Sequence, residues 1–196
     1  MLQLFGHGKV VATRQRLEMI GERGFEEAYW EWYELLLAER NLASTLAHVQ
    51  RLKSELYEEQ SWYLPKSLML AEAHALLGSP TDAEPEYRKA MDHLEAAVAS
   101  DPKDSRKRVA SATACVGLKR YEEAFAHIEA AADIDPISKD AVSGPLVLSM
   151  KAIVHARSGD HATALSIIEH LLSIPSWTSP GYLRVSPNWD SLRHFP

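Results

Sequence analysis

The chain has 196 residues, of which 46% are hydrophobic and 24% charged, and its formal net charge is −6. This length suits one domain or one run of repeats with a substantial core. A single cysteine excludes an internal disulfide framework, no window approaches the roughly 18 apolar residues of a membrane helix, and the acidic balance argues against nucleic acid as a partner. We therefore expect a cytoplasmic protein that binds neither nucleic acid nor membrane.

The N-terminal segment, residues 1–25, matches no repeating pattern in the rest of the chain. Gly6, Gly8 and Lys9 interrupt its apolar stretch, so it does not resemble a secretory signal. Residues 9–20 predict a short capping helix that ends before Gly21.

From residue 26 onward, amphipathic runs at helical spacing come in pairs that are separated by short polar turns. Almost no alternation typical of strands is present. The pattern predicts helix-turn-helix units over residues 26–60, 65–102, 104–136 and 143–175. In the second unit, residues 82–99 predict one long helix, capped by Thr81 or Asp82 and with Pro85 in its first turn.

The second helices of these units share one pattern: a small residue, an apolar residue four positions later, and a small or apolar residue three positions after that. The matching triplets are Thr45, Val49 and Leu52; Ala90, Leu94 and Ala97; Ala124, Ile128 and Ala131; and Ala164, Ile168 and Leu171. The second and third triplets are 34 residues apart, and each is followed by a proline that ends the helix. Small residues at these positions let neighbouring helix backbones approach closely.

This pattern resembles the tetratricopeptide repeat, whose period is about 34 residues. The resemblance is carried by the second helices and by the period, with Ala124, Ile128, Ala131 and Pro136 as the best match. It implies an all-α fold, an α-α superhelix built as a solenoid of antiparallel helix pairs. In such stacks the first helices line a concave groove.

The C-terminal segment, residues 176–196, is rich in proline and has no apolar period. We expect an extended cap whose large apolar side chains pack on the last helices. Residues 90–193 are also similar to the C-terminal repeats of bacterial signalling proteins, especially in the stretches SIPSW and LRVSPNWDSLR. In that group the repeats commonly follow a nucleotide cyclase, a serine/threonine kinase or a DNA-binding regulator.

A search for catalytic, cofactor or metal motifs finds none with convincing spacing. The GHGK stretch lacks the glycine spacing and the Ser/Thr of a phosphate loop, and the nine histidines show no ligand spacing. Cys115 is better interpreted as a packed thiol than as a nucleophile. The sequence therefore predicts a protein that is not an enzyme and has no cofactor and no metal.

If the repeats form a groove, its walls come from the first helices of the units. The groove residues that this alignment predicts are Trp30, Glu34, Arg106, Val109, Thr113, Ser149, Ile153 and Arg157. Trp30 is a candidate exposed anchor, although it could instead pack on a neighbouring helix. Arg106 belongs to the basic run at residues 103–108, which is either a solvated helix start or an anchor for an acidic peptide.

These features lead to three hypotheses of function. The first is a non-catalytic scaffold that binds a protein or peptide segment in its concave groove, with an acidic peptide as one candidate ligand. The second is the regulatory or sensory module of a bacterial signalling enzyme or transcription regulator. The third is a self-assembling structural module, for which the expected states are a monomer or a weak homo-oligomer.

Overall fold

The computed structural model describes residues 7–20 and 28–193. Helix α1 spans Val10–Ile20, where the N-terminal helix is predicted, and residues 1–6 and 21–25 of the N-terminal segment lie outside the described ranges. The further helices and strands, in chain order, are α2 Tyr29–Ala38, α3 Leu42–Gln50, β1 Leu56–Glu59, β2 Trp62–Pro65, α4 Lys66–Leu76, α5 Pro80–Ser100, α6 Ser105–Gly117, α7 Tyr121–Ile134, α8 Ser143–Ser158, α9 His161–Ser173, α10 Pro180–Val185 and a final 3₁₀ helix Pro187–Leu192.

The helices pack mainly against their neighbours in sequence. Helices α4 and α5, α6 and α7, and α8 and α9 form the closest pairs, and each pair also contacts the next. Helix α6 additionally contacts both α4 and α8. The prediction of an all-α fold with packed neighbouring helices is therefore confirmed.

The predicted inward face of α7 is buried. Ala124, Ile128 and Ala131 have no exposed surface, and Ala90 and Leu94 of α5 are equally covered. Since each pair of alanines flanks a larger side chain, the backbones approach closely where the large residue fills the gap. The periodic pattern in the sequence thus marks the core of the fold.

Helix α5 confirms the long helix predicted in the second unit, with different details at its start. Ser79, rather than Thr81 or Asp82, is the residue that precedes the helix, and Pro80 occupies the first turn. Pro85 lies inside the helix, where it removes the hydrogen bond that its N–H would donate to the Thr81 carbonyl.

A β-hairpin precedes α4, which contradicts the expectation of almost no strand. Strands β1 and β2 pair antiparallel from Leu56 opposite Pro65 to Glu59 opposite Trp62. Tyr57 and Tyr63 are its buried aromatic residues. Neither run of four residues, LYEE or WYLP, alternates apolar and polar side chains, so burial of the two tyrosine rings rather than a local pattern accompanies the strands. The predicted unit boundary at residue 60 lies in the turn of this hairpin.

The C-terminal segment is helical where an extended cap is predicted. Ser179 and Ser186 each accept a hydrogen bond from the backbone N–H of a residue in the following turn, Tyr182 and Asn188 respectively. A proline follows each serine at the first helical position, where the missing N–H costs little. Each Ser-Pro dipeptide therefore starts a short helix instead of keeping the chain extended.

This C-terminal strap, residues 174–193, joins the two ends of the helix array. Trp189 is buried against α8 and packs in one cluster with Ile153 and Tyr182. At the other end of the array, Asp190 accepts two hydrogen bonds from the Arg40 guanidinium, at 2.6 and 2.8 Å. The strap therefore contacts both the first and the last helix pairs rather than covering one end only.

The close contact between Gly117 and Tyr87 provides a test of the packing. A Cβ atom on Gly117 would lie 2.2 Å from the buried Tyr87 ring, whose hydroxyl is bonded to Glu72 and Arg157 and cannot move freely. We expect Gly117→Ala to lower the free energy of unfolding by about 1–3 kcal/mol, although alanine usually favours a helix over glycine. Urea denaturation measures this. In a Tyr87→Leu background the same change should cost little, and an unchanged midpoint in the wild-type background would contradict the packing.

Candidate functional site

A cavity of about 100 Å³ lies between α2, the hairpin, α4, α6, α8 and the strap. Three helices that are distant in sequence contribute predicted groove residues to its walls. These residues are Trp30 and Glu34 from α2, Val109 and Thr113 from α6, and Ser149 and Ile153 from α8. Six of the eight predicted residues thus meet at one place, which we call the central cavity.

Trp30 lines the central cavity but is not an exposed anchor, because only 7% of its surface is accessible. Its ring lies 4.4 Å from that of Trp62 and 5.4 Å from that of Tyr33, measured between centroids. The hairpin, which carries Trp62, covers it. Trp62 could not be predicted as a lining residue because the sequence shows no signal for the hairpin.

The strap completes the wall with two more aromatic residues, Trp177 and Tyr182. Tyr182 is buried, whereas Trp177 is 47% exposed and therefore lies where the cavity meets solvent. Both residues belong to the segment that is predicted to be a cap. The local sequence gives no sign that they return to the first helix pair.

Glu34 is a buried carboxylate in the cavity wall. It is 6% exposed, and its Oε2 accepts a hydrogen bond of 3.1 Å from the Tyr182 hydroxyl. Among the described residues, no cationic group forms an ion pair with it. Burial raises the pKa of Glu34 to about 7, and the hydrogen bond from Tyr182 offsets only part of that effect.

Glu72, the other carboxylate that lines the cavity, is neutralised by Arg157. The Arg157 Nη1 donates to both carboxylate oxygens, at 2.8 and 3.0 Å, and Nη2 donates to the Tyr87 hydroxyl at 3.1 Å. Burial opposes the charge of Arg157, but the attraction of Glu72 outweighs it and holds the Arg157 pKa above its usual range. Arg157 is therefore held behind the cavity wall and does not line the cavity, contrary to its predicted place in the groove.

Arg106 does not line the central cavity but a neighbouring depression beside the hairpin turn, which shares Trp62 and Val109 with the cavity wall. Its guanidinium donates to Asp104 at 2.7 Å, to the Glu59 carbonyl at 2.7 Å and to Glu58 at 3.1 Å. Three groups of the protein itself thus occupy its donors. The hairpin supplies two of these acceptors, so this arrangement depends on an element that the sequence did not predict.

The sequence also raised Cys115 and the histidines as chemical candidates. Cys115 is fully buried, and burial raises the pKa of its thiol to about 11, so the packed thiol is confirmed. No group of three or more His, Cys, Asp and Glu side chains in these ranges is arranged to hold a metal ion. None of the helices described has the length and apolar character needed to cross a membrane.

Comparisons of the chain with protein-family models, with curated proteins and with solved structures find no match.

Proposed function

We propose that the chain is a non-catalytic interaction module in which the central cavity receives an anchor side chain from a partner protein segment. The observation that carries this proposal is that Trp30 and Glu34 of α2, Val109 of α6 and Ser149 of α8 line one apolar cavity. The repeat alignment predicts these same positions, because the first helices of such repeats line the groove.

The helix contacts support a stack of the tetratricopeptide kind. In such a solenoid the first helices of successive pairs lie side by side and form the concave wall. Helix α6 contacts α4 and α8, which are the first helices of the preceding and following pairs. The central cavity lies on this wall, and we propose it as the remaining open part of a groove that the strap partly occupies.

The size of the cavity favours a single side chain over a whole helix. Its volume of about 100 Å³ is of the order of the roughly 150 Å³ cavity that accepts a benzene molecule. A partner segment would therefore insert one residue and lie across the rim with the others. One well-buried anchor commonly carries most of the binding energy of such an interface.

A cavity-filling variant tests this function. We would select peptides from a phage-displayed random library on the wild-type protein and measure their affinity for Thr113→Leu, which places a larger side chain in the cavity wall. We expect a loss of at least about tenfold, which corresponds to about 1.4 kcal/mol. The matched control is Ala126→Leu, which adds comparable bulk at an exposed position of α7.

Two results would contradict the proposal. The first is a set of selected peptides that bind Thr113→Leu as tightly as the wild type, since their site would then lie elsewhere. The second is a selection that enriches no peptide over several rounds. Circular dichroism and thermal denaturation of both variants establish that the comparison is made between folded proteins.

A further inference from the structure

We propose that the central cavity selects a lysine side chain of the partner segment, with its ammonium group paired to Glu34. This proposal rests on the proposed function and adds the chemistry of the anchor. It reverses the charge expected from the basic run around Arg106, because the donors of Arg106 are bonded within the protein whereas Glu34 has no cationic partner among the described residues.

The two carboxylates at the cavity differ in whether a cation of the protein pairs with them. Glu72 is compensated by Arg157 at 2.8 Å, and the Tyr87 hydroxyl also donates to it. Glu34 is buried, at 6% exposure, but among the described residues it receives only the 3.1 Å hydrogen bond from Tyr182. A buried carboxylate is costly unless it is paired and hydrogen-bonded. An incoming cation would supply the ion pair that the fold leaves out.

The walls around Glu34 suit a cation with an apolar stem. The aromatic rings that line the cavity come from Trp30, Tyr33, Trp62, Trp177 and Tyr182. The faces of such rings attract cations, most strongly where water is excluded. The methylene groups of lysine pack well on apolar surfaces while the ammonium group reaches a polar partner.

The cavity favours lysine over arginine. A guanidinium presents five N–H donors in a fixed plane, and each needs an acceptor when it is buried. Glu34 is the one uncompensated carboxylate among the described lining residues. An ammonium group is compact, has three donors and can satisfy them with this carboxylate, the neighbouring hydroxyls and the solvent at the mouth near Trp177.

The ionisation of Glu34 links binding to pH. Tyr182 from the strap donates a hydrogen bond to Glu34, and Tyr33 from the same helix, whose pKa burial raises, is near enough for the Glu34 charge to raise that pKa further. Glu72 from α4 lines the same cavity and is paired with Arg157 from α8. Both tyrosines are held neutral by burial, and Glu72 and Arg157 cancel. We therefore expect tighter binding at pH 8 than at pH 5.5, because the pKa of Glu34 is about 7.

The test uses n-butylammonium, which reproduces the lysine side chain, and neutral 1-butanol as its uncharged counterpart. Three tryptophans line the cavity, so a titration followed by intrinsic fluorescence reports on occupancy. At pH 8 we expect n-butylammonium to bind at least about tenfold more tightly than 1-butanol. Glu34→Gln should reduce n-butylammonium binding at least about tenfold and leave 1-butanol binding unchanged.

The matched control is Glu31→Gln, which removes the same charge from the same helix at a position outside the cavity wall, and it should bind n-butylammonium as the wild type does. Equal affinity of the wild-type protein for the two probes would overturn the proposal, and that comparison needs no variant. Equal loss in Glu31→Gln and Glu34→Gln would also overturn it, since a general charge effect would then explain the preference.

The peptide selection separates this proposal from the function on which it rests. Selected peptides that require the cavity and lose binding when their lysine is acetylated support both. Selected peptides that require the cavity but carry an apolar anchor without lysine support the function and overturn the lysine proposal. Peptides that bind without the cavity overturn the function, whatever the small-molecule titration shows.

Discussion

Arg157→Met is expected to lower the free energy of unfolding by about 3 kcal/mol, because it leaves Glu72 largely buried without its counter-charge. Both side chains are 14% exposed and are joined at 2.8 Å. The penalty comes mainly from the stranded carboxylate rather than from lost attraction, and the Tyr87 hydroxyl loses one of its two partners as well. Urea denaturation at pH 7.5 measures the difference.

Two controls give this prediction its specificity. The double variant Glu72→Met with Arg157→Met should regain most of the lost stability, since apolar residues of similar volume often replace a buried ion pair without loss. Lys151→Met removes a cation from the same helix, where Lys151 pairs with the exposed Glu129 at 2.7 Å, and should cost less than about 1 kcal/mol. Equal losses in Lys151→Met and Arg157→Met would refute the role assigned to burial.

Glu34→Gln is expected to stabilise the protein above pH 7 by up to about 3 kcal/mol, and to change its stability little near pH 4.5. The pKa of Glu34 is raised from 4.5 to about 7 in the folded protein. Between these values the folded protein keeps a proton that the unfolded chain has released, so the wild-type free energy of unfolding falls as the pH rises. Glutamine does not ionise, yet its carbonyl can still accept the hydrogen bond from Tyr182.

The measurement is chemical denaturation of both proteins at intervals from pH 4.5 to 8.5. The difference between the two profiles isolates Glu34, because other groups contribute equally to both. His48 is such a group: burial lowers its pKa to about 4, so its contribution to stability rises with pH, which is the opposite direction. A difference that stays constant across this range would show that Glu34 does not titrate as proposed.

Ligand binding would explain why the protein keeps a buried carboxylate that lowers its stability near neutral pH. Groups with displaced pKa values cluster at functional sites, where the stability they cost is recovered on binding. Glu34 lies in the wall of the central cavity, where we propose a ligand site, whereas Glu72 with Arg157 is a paired element of the fold. The stability experiment on Glu34→Gln therefore tests the ionisation of this carboxyl group, and the binding experiment tests its attraction for a cation.

The amphipathic helices could be predicted from the sequence because their signal is local. The spacing of Ala124, Ile128 and Ala131 marks the buried face of α7 without knowledge of what covers it. The same reasoning selected Trp30, Thr113 and the other groove positions that line the cavity. In these segments the apolar residues recur with the 3.6-residue period of a helix and lie on the side that faces the core. One pattern therefore predicts both the helix and its buried face.

The strap shows the limit of local signals. Its two Ser-Pro dipeptides are local helix-start signals, and they predict the two short helices. The high proline content of the segment favours an extended chain instead, which is why the helices were not expected. Its route back to Arg40 and Glu34 has no such signal, because it depends on contacts between residues about 150 positions apart.

The sequence by itself therefore determined the helical class, the inward faces of the helices and six of the positions that meet at the central cavity. Only the tertiary structure decided the hairpin that covers Trp30, the pairing of Arg157 with Glu72, and the burial of Glu34 with no cationic partner among the described residues. The physical reason is that burial and compensation of a charge depend on which distant groups arrive beside it. A periodic pattern places a side chain on a face, whereas its pKa, its partners and its freedom to bind are set by the neighbours that the whole fold brings there.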